Sequence, residues 1–135
     1  MIRYKLEGLT PTLPANTRKV TRPGKYGNMF KIYKDGKINL WNRKFKSWKV
    51  KEEIFLFYGT AQDAVNLYEY AIHQDIESIR NYKKELNNTA ILTAIQEHLD
   101  YIKKVDFSEL KGKNVGCNCK LEEACHADIL LKYYC

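Results

Sequence analysis

The sequence predicts an α/β domain in which a small sheet is covered by helices and carries an inserted β-hairpin. Three observations predict it. A strand-and-loop region opens the chain, apolar residues recur at helical spacing through the middle, and a strand-loop-helix unit closes it in "NVGCNCKLEEACHADILLKYYC". No tract rich in Pro, Gly or Ser divides the 135 residues, so residues 1–135 are expected to form a single domain.

Each element has its own signal. Residues 1–17 contain Pro11 and Pro14 and read as an extended lead-in, with "IRYKL" able to form a short edge strand. "RKVTRPGKYGNMF" gives a short strand about Val20 that breaks into a loop at Pro23-Gly24, with Gly27-Asn28 as a second turn signal. In "FKIYKDGKINLW" apolar residues alternate on both sides of Asp35-Gly36, the signature of a hairpin with a two-residue turn. Thr60 and Asp63 start a helix in capping-box style, and Ala64, Val65, Tyr68, Ala71 and Ile72 carry its period toward about Lys84. "LNNT" ends that run. Ile91, Leu92, Ile95, Leu99 and Ile102 then mark a helix over about 89–103. "DFSELKGK" reads as one helical turn stopped by Gly112, "NVGCNC" as a short strand, and residues 125–134 as a final helix with Ile129, Leu130 and Tyr133 on its apolar stripe.

Charge is distributed unevenly. Residues 1–59 hold 14 Lys and Arg against 4 Asp and Glu, a net of +10, whereas residues 60–135 hold 9 against 12, a net of −3. The basic half is the expected contact for a phosphate-bearing partner. No apolar run is long enough to cross a bilayer, and "MIRYKLEGLTPTLPANTRKV" lacks the apolar core of a signal peptide, so a cytoplasmic location and no membrane partner are expected. In a reducing compartment the four cysteines, all within the last nineteen residues, are expected to be free, reactive or metal-bound rather than cross-linked.

Two separated motifs, "TRPGKYGNMF" and "LKGKNVGCNCKLEEACHADILL", together resemble the domain of unknown function 4326 family. That family carries an Arg-Pro-x-x-aromatic-Gly-Asn-Pro-Phe loop and, near the C-terminus, a Leu-x-Gly-Lys segment followed by Cys-x-Cys and Cys-His-x-Asp. The resemblance covers residues 18–32 and 60–134 and leaves 33–58 as an inserted basic and aromatic hairpin, with Met29 where the family has proline and Asn118 where an aromatic residue is common. It implies a fold and two motifs, with no activity attached.

The chemistry of the motifs supports several readings. Cys125 and His126 at a helix N-terminus suit a lowered thiol pKa and a neighbouring proton carrier, with Asp128 placed to orient the imidazole, which makes Cys125, His126 and Asp128 the candidate catalytic residues. Arg22 and Lys25, with the backbone about Gly24 and Gly27, suit a phosphate, while Tyr26 and Asn28 suit a ring and a base or ribose; Cys117 and Cys119 would line the same pocket. The expected function is therefore binding of a nucleotide or nucleotide-derived ligand, a phosphate-bearing small molecule, with hydrolysis or glycosidic transfer as the reactions open to it. No cofactor is expected on this reading.

The alternative is a nucleic-acid-binding module with a structural zinc on Cys117, Cys119, Cys125 and His126. The residue types suit zinc, although Cys-x-Cys is tighter than the usual ligand gap and an adjacent Cys-His pair rarely reaches one ion. Arg43, Lys44, Lys46 and Lys49, interleaved with Phe45 and Trp48, resemble a surface for single strands, where bases stack and cations follow the backbone. An amphipathic hairpin anchored by its tryptophans would give the same pattern. A non-catalytic protein-interaction factor is a third class. His73 and His98 fall in helices and read as polar-face residues.

Overall fold

A computed structural model describes residues 1–7, 12–22, 24–41 and 53–135. In chain order the elements are β1 (Arg3–Lys5), β2 (Thr17–Lys19), β3 (Phe30–Ile32), β4 (Lys37–Trp41), β5 (Glu53–Tyr58), α1 (Ala61–Ile72), α2 (Ile76–Arg80), α3 (Thr89–Lys103), β6 (Asn114–Cys117) and α4 (His126–Tyr134), with 3-10 turns at Lys84–Leu86 and Phe107–Leu110. The fold is mixed α/β, as the sequence predicts, but the strands form two three-stranded sheets in place of one. They lie in two compact units, one made of Met1–Gly27 with Val105–Cys135 and the other of Asn28–Lys104.

The first unit is a parallel sheet in the order β1-β6-β2. Its central strand is the last in sequence, so both ends of the chain are needed to complete it. Two backbone bonds extend the ladders past the strand ends, Leu6 N–H to the Cys117 carbonyl at 2.8 Å and Val20 N–H to the Gly116 carbonyl at 2.9 Å. Gly116 lies close under Leu6, whose side chain would have to shift to admit a Cβ, 2.7 Å away. Leu6, Val20, Leu110, Val115, Ala127 and Leu130 are buried, and α4 packs on β6 and β1. Gly112, at φ +73°, stops the 3-10 turn before β6 as expected. On α4 the buried face is His126, Ala127 and Leu130, while Tyr133 of the expected stripe is exposed.

The second unit is an antiparallel meander, β3-β4-β5, with α1 against β3 and with α1, α2 and α3 packed on one another. The expected hairpin at Asp35-Gly36 is present, with a loop of three residues rather than two. Tyr33 N–H bonds the Lys37 carbonyl, Gly36 N–H bonds the Tyr33 carbonyl, and Gly36 takes φ +89°, which is a tight turn followed by a left-handed glycine. Thr60 and Asp63 form the expected capping box of α1.

That helix is shorter than its apolar period suggests. It ends at Ile72, Gln74 takes φ 60°, and Asp75 caps a new helix through Ser78. Ile76 and Ile79 continue the spacing of Ile72 across the break, so periodicity alone runs the two helices together. The expected helix over 89–103 is Thr89–Lys103, capped by the Asn88 side chain.

Candidate metal centre

Cys117 is the last residue of β6 and Val20 directly follows β2, so the C-terminal end of the parallel sheet is where the cysteine motif begins. The strand stops before Cys119, which reaches the cluster through the turn at Asn118 and not by strand alternation. Cys125 is the N-cap of α4, in extended conformation with no side-chain capping bond, and His126 is its first helical residue. This placement turns both side chains inward. Cys117, Cys125 and His126 are buried, and Cys119 is half-buried.

The donor atoms converge. The Cys117 and Cys119 sulfurs are 3.5 Å apart, Cys125 Sγ is 3.8 Å from His126 Nδ1, and the donors of Cys117, Cys125 and His126 all lie within 4.8 Å of one another. Donors on the edges of a tetrahedral zinc site, with Zn–S about 2.3 Å and Zn–N about 2.0–2.1 Å, are separated by roughly 3.5–3.8 Å. The donors of Cys117, Cys125 and His126 therefore approach the spacing that three ligands of a tetrahedral ion need, and Cys119 adjoins them through the Cys117 sulfur.

His126 Nε2 lies 2.7 Å from the Val20 carbonyl oxygen. A carbonyl only accepts, so Nε2 carries the proton and Nδ1 presents its lone pair to the thiols. A ligating histidine needs this arrangement: one ring nitrogen tied to an acceptor and the other left basic.

Arg3 holds the loop between the second and third cysteines. Its guanidinium, with the side chain only 7% exposed, donates to the carbonyls of Lys120, Leu121 and Glu123 and pairs with Asp128 at 3.4 Å. It also lies beside the Cys125 thiol. A buried cation here compensates the negative charge that thiolates bring. Hydrogen bonds from Cys119 and then Cys125 pull the Cys117 thiol down to about 3. The same bond to Cys117 pushes the Cys119 thiol up, because Cys119 supplies the proton. Cys117 and Cys125 are thus the thiols shifted toward thiolate, and Cys119 is the one that keeps its proton and donates it.

A family model described as Domain of unknown function (DUF4326) matches residues 7–134. The chain belongs to the DUF4326 family. No curated protein and no solved structure matches it. The match spans nearly the whole DUF4326 chain, beyond the two stretches, 18–32 and 60–134, on which the resemblance rested. It takes in both halves of the cysteine motif.

The other expected site residues of this DUF4326 chain fall elsewhere. Asp128 faces Arg3, while His126 has Cys125 on one nitrogen and Val20 on the other. Lys25 Nζ and the Tyr26 hydroxyl both meet Glu109 at 2.8 Å, Tyr26 also donates to the Asp106 carbonyl at 3.0 Å, and Arg18 pairs with the same Glu109 at 2.7 Å. Tyr26 is 3% exposed and lies against Phe107. A Cβ on Gly27 would meet the Arg22 backbone at 2.8 Å, so close packing accounts for the glycine. Arg22 is exposed in this loop.

In the second unit Asn28 is buried, donating to the Ala64 carbonyl at 3.1 Å and accepting from Phe30 N–H at 3.0 Å. Arg43, Lys44, Lys46, Trp48 and Lys49 lie outside the described residues. Sequence reasoning missed Arg3 and the Val20 carbonyl. Both contact their partners in the motif from more than a hundred residues away in sequence, and neither residue type announces that role.

Proposed function

We propose that this chain is a nucleic-acid-binding module whose C-terminal strand-loop-helix junction is held by a structural zinc on Cys117, Cys119, Cys125 and His126. The observation that carries the metal is the His126 Nε2 bond to the Val20 carbonyl, which leaves Nδ1 as a lone-pair donor among three converging thiols. Four protein donors fill a tetrahedral ion and leave no open position for substrate or water, so the ion's work is to fasten β6 to α4. The small parallel sheet it closes has few core side chains of its own, which is the setting in which a metal contributes most to folding.

The nucleic-acid half of the reading is supported by charge. The net of +10 over residues 1–59 includes five basic residues between 43 and 51, set among Phe45 and Trp48, a composition that suits a polyanion with stackable bases. Binding of a labelled single-stranded oligonucleotide to the purified chain, followed by anisotropy across a salt series, tests it. The expected result is binding whose logarithm falls linearly with the logarithm of salt. A shallow slope with preference for a mononucleotide would favour a small phosphate-bearing ligand, and no binding of either kind would overturn the reading.

A further inference from the structure

The β3-β4-β5 sheet buries one face, where Phe30, Ile38, Leu40 and Phe57 lie among the core residues. Its other face is chemically unusual. The register pairs Lys37 with Tyr58, Ile38 with Phe57 and Asn39 with Phe55, so Leu56 is an extra residue opposite the step from Ile38 to Asn39. This bulge shifts the alternation of β5 by one. Phe55 and Tyr58, which simple alternation would place on opposite faces, are instead both on the outer face, 45% and 64% exposed, with ring centroids 5.2 Å apart. Leu56 and Phe57 are both buried beneath them.

Lysines interleave with these rings. Lys37 Nζ lies 5.9 Å from the Phe55 centroid, and across the sheet Lys31 Nζ lies 4.6 Å and 4.5 Å from the Tyr33 and Trp41 rings. Among the described residues, the Glu53 carboxylate accepts from the Tyr33 hydroxyl and the Asp35 carboxylate from the Lys37 N–H. Phe55 and Tyr58 are exposed and in contact, so they form a joined aromatic surface, and the interleaved cations decide what kind of partner suits it. An apolar protein partner would have to strip water from the lysine ammonium groups. A single strand offers bases to stack on the rings and phosphates to meet the cations.

We infer that the outer face of the β3-β4-β5 sheet is a stacking platform for single-stranded nucleic acid, with bases on Phe55 and Tyr58 and a phosphate at Lys37. The inference deepens the nucleic-acid reading above and rests on it. It adds a location and a preference for single strands, because paired bases present no faces to these rings.

The test uses the full chain with a fluorescent single-stranded oligonucleotide and its duplex. The unmodified chain should prefer the single strand, and Phe55→Ala and Tyr58→Ala should each weaken that binding by roughly 5- to 100-fold, whereas Tyr58→Phe, which keeps the ring, should bind nearly as well. Lys37→Gln should weaken binding and make the salt slope shallower by about 0.7. Photocrosslinking a bromouracil-substituted strand to the unmodified chain gives a readout that needs no variant, and the crosslinks should fall within residues 53–58. Single-strand binding that survives both alanine variants, with crosslinks elsewhere, would overturn the platform and leave the nucleic-acid reading standing. Absence of any nucleic-acid binding would remove both. A concentration-dependent dimer that Phe55→Ala and Tyr58→Ala dissociate, with no loss of oligonucleotide affinity, would assign the face to a second copy of the chain.

Discussion

His126 Nε2 donates to the carbonyl oxygen of Val20 across 2.7 Å, joining the first turn of α4 to the end of β2. The bond fixes the tautomer, and with it the direction in which the ring can act as a ligand. His126→Ala should therefore do two things together: reduce the zinc carried by the chain and lower its melting temperature. Atomic absorption and a thermal melt on the same sample check this. Unchanged metal content with a lower melting temperature would make His126 a packing residue.

Thiol accessibility should separate the cluster from the remaining cysteine. Cys135 lies at the chain end, outside the cluster, and half-buried. In the zinc-loaded chain, limited alkylation followed by peptide mapping should label Cys135 and spare Cys117, Cys119 and Cys125, and a chelator should make all four reactive. Equal labelling before and after chelation would show that no ion protects the three.

Arg3 orders the loop between Cys119 and Cys125 and is not itself one of the candidate metal ligands. Arg3→Met keeps much of the side-chain bulk and removes the charge and the hydrogen bonds. Metal affinity should fall by about 10- to 100-fold, as for other residues that position ligands, while the zinc stoichiometry at saturation stays at one. A competitive chelator titration reads the affinity. Loss of stoichiometry would mean that the loop cannot form at all without Arg3.

Gly27 sits where a methyl group would meet the Arg22 backbone at 2.8 Å. Gly27→Ala should cost about 1–3 kcal/mol of stability through the shift it forces on this loop. A denaturant titration measures it. A neutral effect on stability with lost ligand binding would return the glycine to the phosphate-cradling role that its motif suggests.

Asp63 gives the second unit an acid limb. Burial alone would raise its pKa, but the Tyr82 hydroxyl and the Thr60 cap hold the carboxyl below the ordinary value of 3.8. A carboxylate depressed in the folded state adds stability above its unfolded pKa, and that stability is lost as pH falls through the lower folded value. Stability should therefore drop below about pH 4, and Asp63→Asn should flatten that drop while losing stability at neutral pH. Thr60→Ala should cost about 0.5–2 kcal/mol at neutral pH. Denaturant midpoints measured from pH 2 to pH 7 show both effects.

Legibility in the sequence followed the range of the interactions. The capping box at Thr60, the helix from Thr89, the stop at Gly112 and the hairpin at Asp35-Gly36 rest on neighbours a few residues apart, and each is present. The break at Gln74 was hidden because the apolar stripe continues through it; only the Asp75-x-x-Ser78 cap signals a new start. The split into two sheets depends on β6 inserting between β1 and β2, a pairing across about a hundred residues that local pattern does not record. In the site, the cysteine motif was plain. Spacing argued against Cys125 and His126 converging, because the Val20 carbonyl that turns the imidazole toward the sulfurs arrives from the other end of the chain.

Native mass spectrometry of the purified chain, before and after dialysis against a strong chelator, decides whether a zinc ion holds the cysteine cluster. The expected result is one zinc per 15.9 kDa chain, lost only with a large fall in melting temperature, and recovered with folding when zinc is restored. A chain that carries no metal after purification in zinc-supplemented buffer, and whose melting temperature is indifferent to the chelator, would contradict it.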